Sequence, residues 1–239
     1  MTTKKTKPIL PKETSELEKF MGFTFNNQNL LRLAFIHKSY VNENPSETFS
    51  NERLEFLGDA VLELSVTDFL FKNYPNEPEG ELTNWRSALV KGKNLAQVAR
   101  HLQLGDYLFL SNGEDLSGGR NKDYILANTV EALIGAMYLD QGYDHANTFI
   151  TKHIIALLEE IIQQGLHIDA KSHVQELAQD LLSVTPRYEL MEDSGPDHEK
   201  TFVMGIYFGT HLVGMGSGPS KQEAEQSAAR DALKKQGWM

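Results

Sequence analysis

Four acids between Ser50 and Val66 share a spacing that suits chemistry. In SNERLEFLGDAVLELSV, Glu52, Glu55, Asp59 and Glu63 follow one another three, four and four residues apart. At ~3.6 residues per turn those intervals put all four on one face of a helix. Leu54, Leu57, Val61 and Leu64 repeat with the same period on another face, which is expected to be buried. Ser50 or Asn51 suits the N-cap. Like charges one turn apart repel, by a few tenths of a kcal/mol per pair or roughly so. Two readings stay open for the stripe alone: a solvated acidic face, or a hard-cation site with all-oxygen ligands for Mg²⁺ or Mn²⁺.

A cation site needs a second source of ligands. The stretch Asp123 to Asp140, DYILANTVEALIGAMYLD, supplies one. Ala127, Val130, Ile134 and Met137 or Tyr138 mark its apolar face, and Asn128 and Glu131 lie three apart on another. Gly58 interrupts the first helix at a cost of about 1 kcal/mol against Ala. Its presence predicts close approach there by a second helix or a partner subunit.

The elements that must position these groups are helical up to about residue 165. After a polar tail to about residue 13, a helical pattern runs from Glu16 to Val41, with a helix opening at Phe25 or Asn26. The acidic helix is expected to continue to Tyr74. Two helices follow, divided near Lys91–Gly92, then a long polar loop over 105–122 and a last helix from Asp144 to Gln164. The pattern then changes. Helix 172–182, strands near 187–195, 200–208 and 210–218, and helix 221–237 give the order α-β-β-β-α. The predicted fold class is an all-α domain followed by a small α+β domain, with a linker near Gly165–Ala170.

Composition narrows the function. The chain has 239 residues, no cysteine and a net charge of −10. Disulfides, thiolate zinc sites and a Cys nucleophile are excluded. The acidic balance argues against nucleic-acid binding by bulk charge and leaves local patches or bound cations. No run approaches a membrane span, and no signal-peptide h-region follows the basic start, so a soluble, cytoplasmic protein without a membrane partner is expected. Gly113 and Gly118 invite a phosphate-loop reading, but Gly119–Arg120 stands where Lys and Ser or Thr are needed; GMGSG lacks its third Gly because Pro219 occupies that place. No nucleotide cofactor is expected. Histidines 37, 101, 145 and 153 form no metal motif and read as structural or surface residues.

Taken together, the motifs resemble bacterial ribonuclease III. NERLEFLGDAVLEL at 51–64 matches that family's signature stretch nearly residue for residue. ILANTVEALIGAMYLD at 125–140 is similar to its second acidic helix, and HKSY at 37–40 and SGGR at 117–120 match further segments. The C-terminal segment looks like the double-stranded-RNA-binding domain that follows the nuclease domain. The resemblance implies a catalytic domain over 14–143 with a helical extension to about 165, and an RNA-binding domain over 168–238.

It also implies roles, residue by residue. Glu55, Asp59 and Glu131 occupy the places of metal ligands, with Asp59 and Glu131 catalytic; Glu52 stands at a supporting position. Asn128 departs from the Asp usual in the family. Its amide oxygen can coordinate, with one negative charge fewer. The implied activity is metal-assisted hydrolysis of double-stranded RNA to 5′-phosphate and 3′-hydroxyl ends, in processing of ribosomal RNA precursors and structured messenger RNA. The alternative is a double-stranded-RNA-binding protein whose cleavage is impaired by Asn128. A homodimer is implied, with Phe56 at the interface; plain core packing is the other reading of Phe56. Duplex RNA is read by shape, through 2′-hydroxyls and phosphates. Ser172, Gln175, Glu176, Gln179 and His198 correspond to minor-groove contacts, and Lys221, Gln222 and Gln226 to phosphate contacts. A lysine opening a helix suits phosphate on charge grounds as well.

Overall fold

A computed structural model describes residues 11–12, 14–165, 167, 169–196 and 200–238. Most of the expected tail and His198 lie outside the described residues. The chain divides into two compact units, one up to residue 167 and one from residue 168.

The first unit is helical and is built on two long helices. These are α4 (Glu52–Asn73) and α8 (Asp123–Gln141). Before them come α1 (Thr14–Met21), α2 (Gln28–Ala34) and α3 (Lys38–Glu43); between them lie α5 (Glu79–Leu89), α6 (Gly92–His101) and the short α7 (Asn112–Leu116). α9 (Tyr143–His153) and α10 (Leu158–Gln163) close the unit. α8 is apolar on nearly every side: Ile125–Ala127, Val130 and Ala132–Met137 are all buried. A helix of that kind belongs at the centre of a core.

α4 and α8 touch backbone to backbone. A Cβ placed on Gly58 would lie 1.7 Å from the Glu131 carbonyl oxygen, and one on Gly135 would lie 2.2 Å from that of Leu54. The second-helix explanation of Gly58 is therefore the right one. This contact also rotates α4 relative to the expected apolar face. Leu54, Val61, Leu62, Val66 and Leu70 are buried, while Leu64 is 58% exposed. Leu64 was expected inside, and it is not, because the buried stripe follows Gly58 rather than the leucine repeat.

The helical pattern expected from Glu16 to Val41 breaks into three. Asn26 and Asn27 donate their backbone N–H groups to the Asp140 carboxylate at 2.8 Å each, and Asn27 then caps α2 through the Asn29 N–H. The helix therefore opens at Gln28, later than Phe25 or Asn26. The expected helix 144–164 is likewise interrupted by a 3₁₀ turn at Ile155–Leu157. The segment expected as a polar loop, 105–122, is largely organised. Arg120 donates Nε to Asp115 at 2.8 Å and Nη1 to the carbonyls of Gly105 and Leu108 at 2.9 Å each. One guanidinium thus gathers both ends of the segment.

The second unit carries α11 (Ala170–Leu182), β1 (Arg187–Ser194), β2 (Thr201–Phe208), β3 (His211–Gly218) and α12 (Lys221–Gln236). The strands form an antiparallel sheet in the order β1-β2-β3. Met204, Ile206 and Phe208 are buried with Val174 and Ala178 of α11 and with Ala224, Ala228, Ala229 and Ala232 of α12. The small-residue face of α12 exists for close approach: a Cβ on Gly216 would come within 2.1 Å of the Ala228 nitrogen. Among the described residues no helix is long and apolar enough to cross a membrane.

Gly58→Ala tests the central contact. The added methyl has only backbone to meet, so the loss should be about 3 kcal/mol or more. Urea denaturation should show a lower midpoint; an unchanged midpoint would mean that α4 and α8 do not touch at Gly58.

Candidate active site

Glu55 and Asp59 are one turn apart on α4, and Asn128 and Glu131 one turn apart on α8. The Gly58–Gly135 contact brings both pairs to one cavity of about 450 Å³, which Glu52 and Phe56 also line. Glu63, the last acid of the stripe, goes elsewhere. Its Oε2 lies 3.1 Å from Arg86 Nε, across to α5. The stripe therefore divides between a cavity and a surface ion pair.

The acids in the cavity disturb one another. Burial pushes the Glu131 carboxyl up to about 7, helped by the charges of Asp59 and Glu55. Burial and Glu52 also raise Glu55, against which a hydrogen bond from Asn128 acts. The Asn128 amide thus donates to Glu55 where an Asp would repel it. Among the described residues, no three histidine or acidic side chains stand close enough to hold an ion as they are. The acids share a cavity without closing on a single point. Their chemistry nonetheless fits a hard cation: three carboxylates and one amide, all oxygen donors, with charge repulsion that a cation relieves.

At the edge, Ser50 Oγ donates to Glu52 at 2.9 Å and Lys38 Nζ stands 3.5 Å from it. Ser50, not Asn51, offers the side-chain oxygen at the start of α4. Asn51 is buried and donates to the Ala34 carbonyl at 3.1 Å. Phe56 is 82% exposed, so the core-packing reading of it fails. His37, read as structural or surface, lines the cavity as well. Its place in HKSY, one of the segments that match the family, was the available signal. His153, by contrast, is half-buried beside Phe149 and does not line the cavity, and desolvation lowers its pKa to about 4.

Residues 27–158 match the family model described as ribonuclease-III-like, and residues 170–236 match the double-stranded RNA binding motif. The ribonuclease 3 of Borreliella burgdorferi is 43% identical over 223 residues, 92% of this chain and 91% of that one. This chain belongs to the ribonuclease III family. The ribonuclease 3 of Natranaerobius thermophilus is 46% identical over 220 residues, covering 92% of this chain and 95% of that one. A solved nuclease domain of Campylobacter jejuni ribonuclease III, studied for flexibility in a region involved in dimer formation, shares 40% identity with a TM-score of 0.57. It covers 60% of this chain and 97% of that chain. The protein is accordingly an endoribonuclease that depends on divalent metal, and its second unit is a double-stranded-RNA-binding module.

In that module Ser172, Gln175, Glu176 and Gln179 are exposed along α11, and Lys221 and Gln222 are exposed at the start of α12. Gln226 is engaged differently. Its Nε2 donates to Asp169 Oδ1 at 2.7 Å, and its Oε1 is buried. Asp169 Oδ2 also accepts from Ser172 Oγ at 2.8 Å. Asp169 therefore joins the first turn of α11 to α12. It was not singled out in the sequence, although an Asp just before a helix and three residues ahead of a Ser is a cap pattern.

The pH dependence follows from Glu131. Its folded-state pKa of about 7 stands above the ordinary 4.5. The folded state therefore holds this proton more tightly than the unfolded state does. Without metal, stability should fall as pH rises from about 4.5 to about 7 and stay low above that. Glu131→Gln should flatten this dependence and raise the melting temperature at pH 8 in EDTA. Parallel melting curves for the two proteins would rule out the strained carboxyl.

Proposed function

We propose that Glu55, Asp59, Asn128 and Glu131 hold divalent cations, Mg²⁺ with Mn²⁺ as a substitute, for hydrolysis of the phosphodiesters of double-stranded RNA. The observation that supports this reading is the shared cavity in which burial and two neighbouring charges push Glu131 to about 7. Bound cations supply an activated water and stabilise the departing oxygen. Asp59 and Glu131 hold the reacting centre from opposite helices, and Glu52 supports it from the edge beside Lys38. The products carry 5′-phosphate and 3′-hydroxyl ends, and the setting is cytoplasmic processing of ribosomal RNA precursors and structured messenger RNA.

Cleavage of a long RNA duplex in Mg²⁺, in Mn²⁺ and in EDTA tests this directly. Cutting should need a cation and should vanish in Glu131→Gln. Asn128→Asp bears on the missing charge. It replaces a hydrogen bond to Glu55 with repulsion, so it should lower the melting temperature in EDTA and enlarge the rise produced by Mg²⁺. Duplex binding by the wild type without cutting in either cation would instead select an RNA-binding protein impaired by Asn128.

The proposal includes a homodimer. Phe56, Leu64 and Phe71 are 82%, 58% and 73% exposed, and they succeed each other along α4 at intervals of eight and seven residues. Those intervals place them on one helix face. An uncovered apolar stripe on a central helix suits a second copy of the chain. Phe56 lines the cavity as well as the stripe, which puts the interface next to the acids. The RNA-binding unit contributes Ser172, Gln175, Glu176 and Gln179 to a minor groove, with Lys221 and Gln222 on phosphate. Phe56→Glu should give a monomer by sedimentation; a wild-type monomer mass would defeat the dimer outright.

A further inference from the structure

The ring of His37 is held in one tautomer. Its Nδ1 accepts the Ser39 backbone N–H at 3.3 Å and caps α3. The same nitrogen lies 2.8 Å from Ser39 Oγ, and that hydroxyl in turn accepts the Ser111 N–H at 3.0 Å. A ring nitrogen that accepts a backbone N–H carries no proton of its own, so the Ser39 hydroxyl donates to it. Nδ1 is therefore an acceptor twice over, and the proton of the neutral ring sits on Nε2. Burial favours that neutral form, lowering the pKa below its usual value more than Glu114 and Glu52 raise it. Nε2 has no protein partner among the described residues, and the ring lines the cavity shared by Glu52, Glu55, Asp59, Asn128 and Glu131.

A cavity walled by carboxylates repels an RNA backbone, so a fixed neutral donor there has a use that a mere helix cap lacks. We infer that His37 Nε2–H donates to a backbone oxygen of the bound duplex, a phosphate oxygen or a 2′-hydroxyl, and seats the strand beside the acids. This rests on the nuclease reading given above.

The test separates the two ends of the ring. His37→Asn and His37→Ser both keep a side-chain oxygen that caps α3, and both remove the donor at Nε2. Melting temperatures should stay close to wild type, while kcat/KM for a long RNA duplex in Mg²⁺ should fall roughly tenfold to a hundredfold. Two modified duplexes then locate the acceptor. If it is a 2′-hydroxyl, 2′-deoxy substitution around the cleaved bond should erase the difference between wild type and variants. If it is a phosphate oxygen, a stereodefined phosphorothioate there should erase it.

Folded variants that cut as fast as wild type would show that His37 is only a cap and overturn the inference. A loss equally deep on all three duplexes would overturn it too, because the effect would then be structural. A wild-type protein that cuts no duplex in Mg²⁺ or Mn²⁺ would remove the nuclease reading first and this inference with it, a failure visible before any variant is compared.

Discussion

The nuclease unit depends on one contact, the crossing of α4 and α8 where Gly58 lies against the backbone of Glu131 and Gly135 against that of Leu54. Without side chains at that crossing the two helices come close enough for polar residues near it to share a cavity. Glu55 and Asp59 flank Gly58 in sequence, and Glu131 contributes the very carbonyl that Gly58 touches. The packing contact and the chemical site are therefore one feature seen at two depths. Glycine weakens the helix locally, by about 1 kcal/mol, and the burial of a nearly all-apolar α8 more than offsets it.

The same closeness concentrates negative charge. Four carboxylates line the cavity, and the shift of Glu131 records the cost of that arrangement. Asn128 tempers it, since its amide donates to Glu55 where a further carboxylate would add repulsion. This arrangement stores electrostatic strain that a divalent cation relieves. The surrounding residues keep that strain confined: Glu63 is drawn off to Arg86, and Lys38 stands beside Glu52 at the edge.

The RNA-binding unit solves its positioning problem by other means. Its sheet and α12 meet across small residues, Gly214 and Gly216 against Ala228 and Ala232. Asp169 then ties the first turn of α11 to α12 through Ser172 and Gln226, and Lys171 adds an ion pair to Glu225 at 2.5 Å. The exposed polar residues of α11 and the lysine that opens α12 thus belong to one braced surface. A unit of acidic balance can still bind an anionic duplex when its contacts are uncharged groups aimed at 2′-hydroxyls and a few placed donors.

Much of this was legible in the chain itself. The 3.6-residue period placed the acids on one face of α4, the change to a period of two marked the three strands, and a glycine inside a strong helix announced a close approach. The signature stretch at 51–64 carried the family. Local signals of that kind are written in neighbouring residues, so a sequence alone exposes them. What it did not disclose involved partners far apart along the chain. Leu64 is exposed because α8 approaches at Gly58, not along the leucine repeat. The loop 105–122 is organised because Arg120 folds back on Gly105 and Leu108. Gln226 turns to Asp169, and His37 lines the cavity that the acids share. Composition and period determined which elements form and which polar residues share a helix face. Only tertiary structure decided which face each element buries and which polar groups spend their hydrogen bonds on one another, because those choices depend on contacts between residues that the sequence keeps apart.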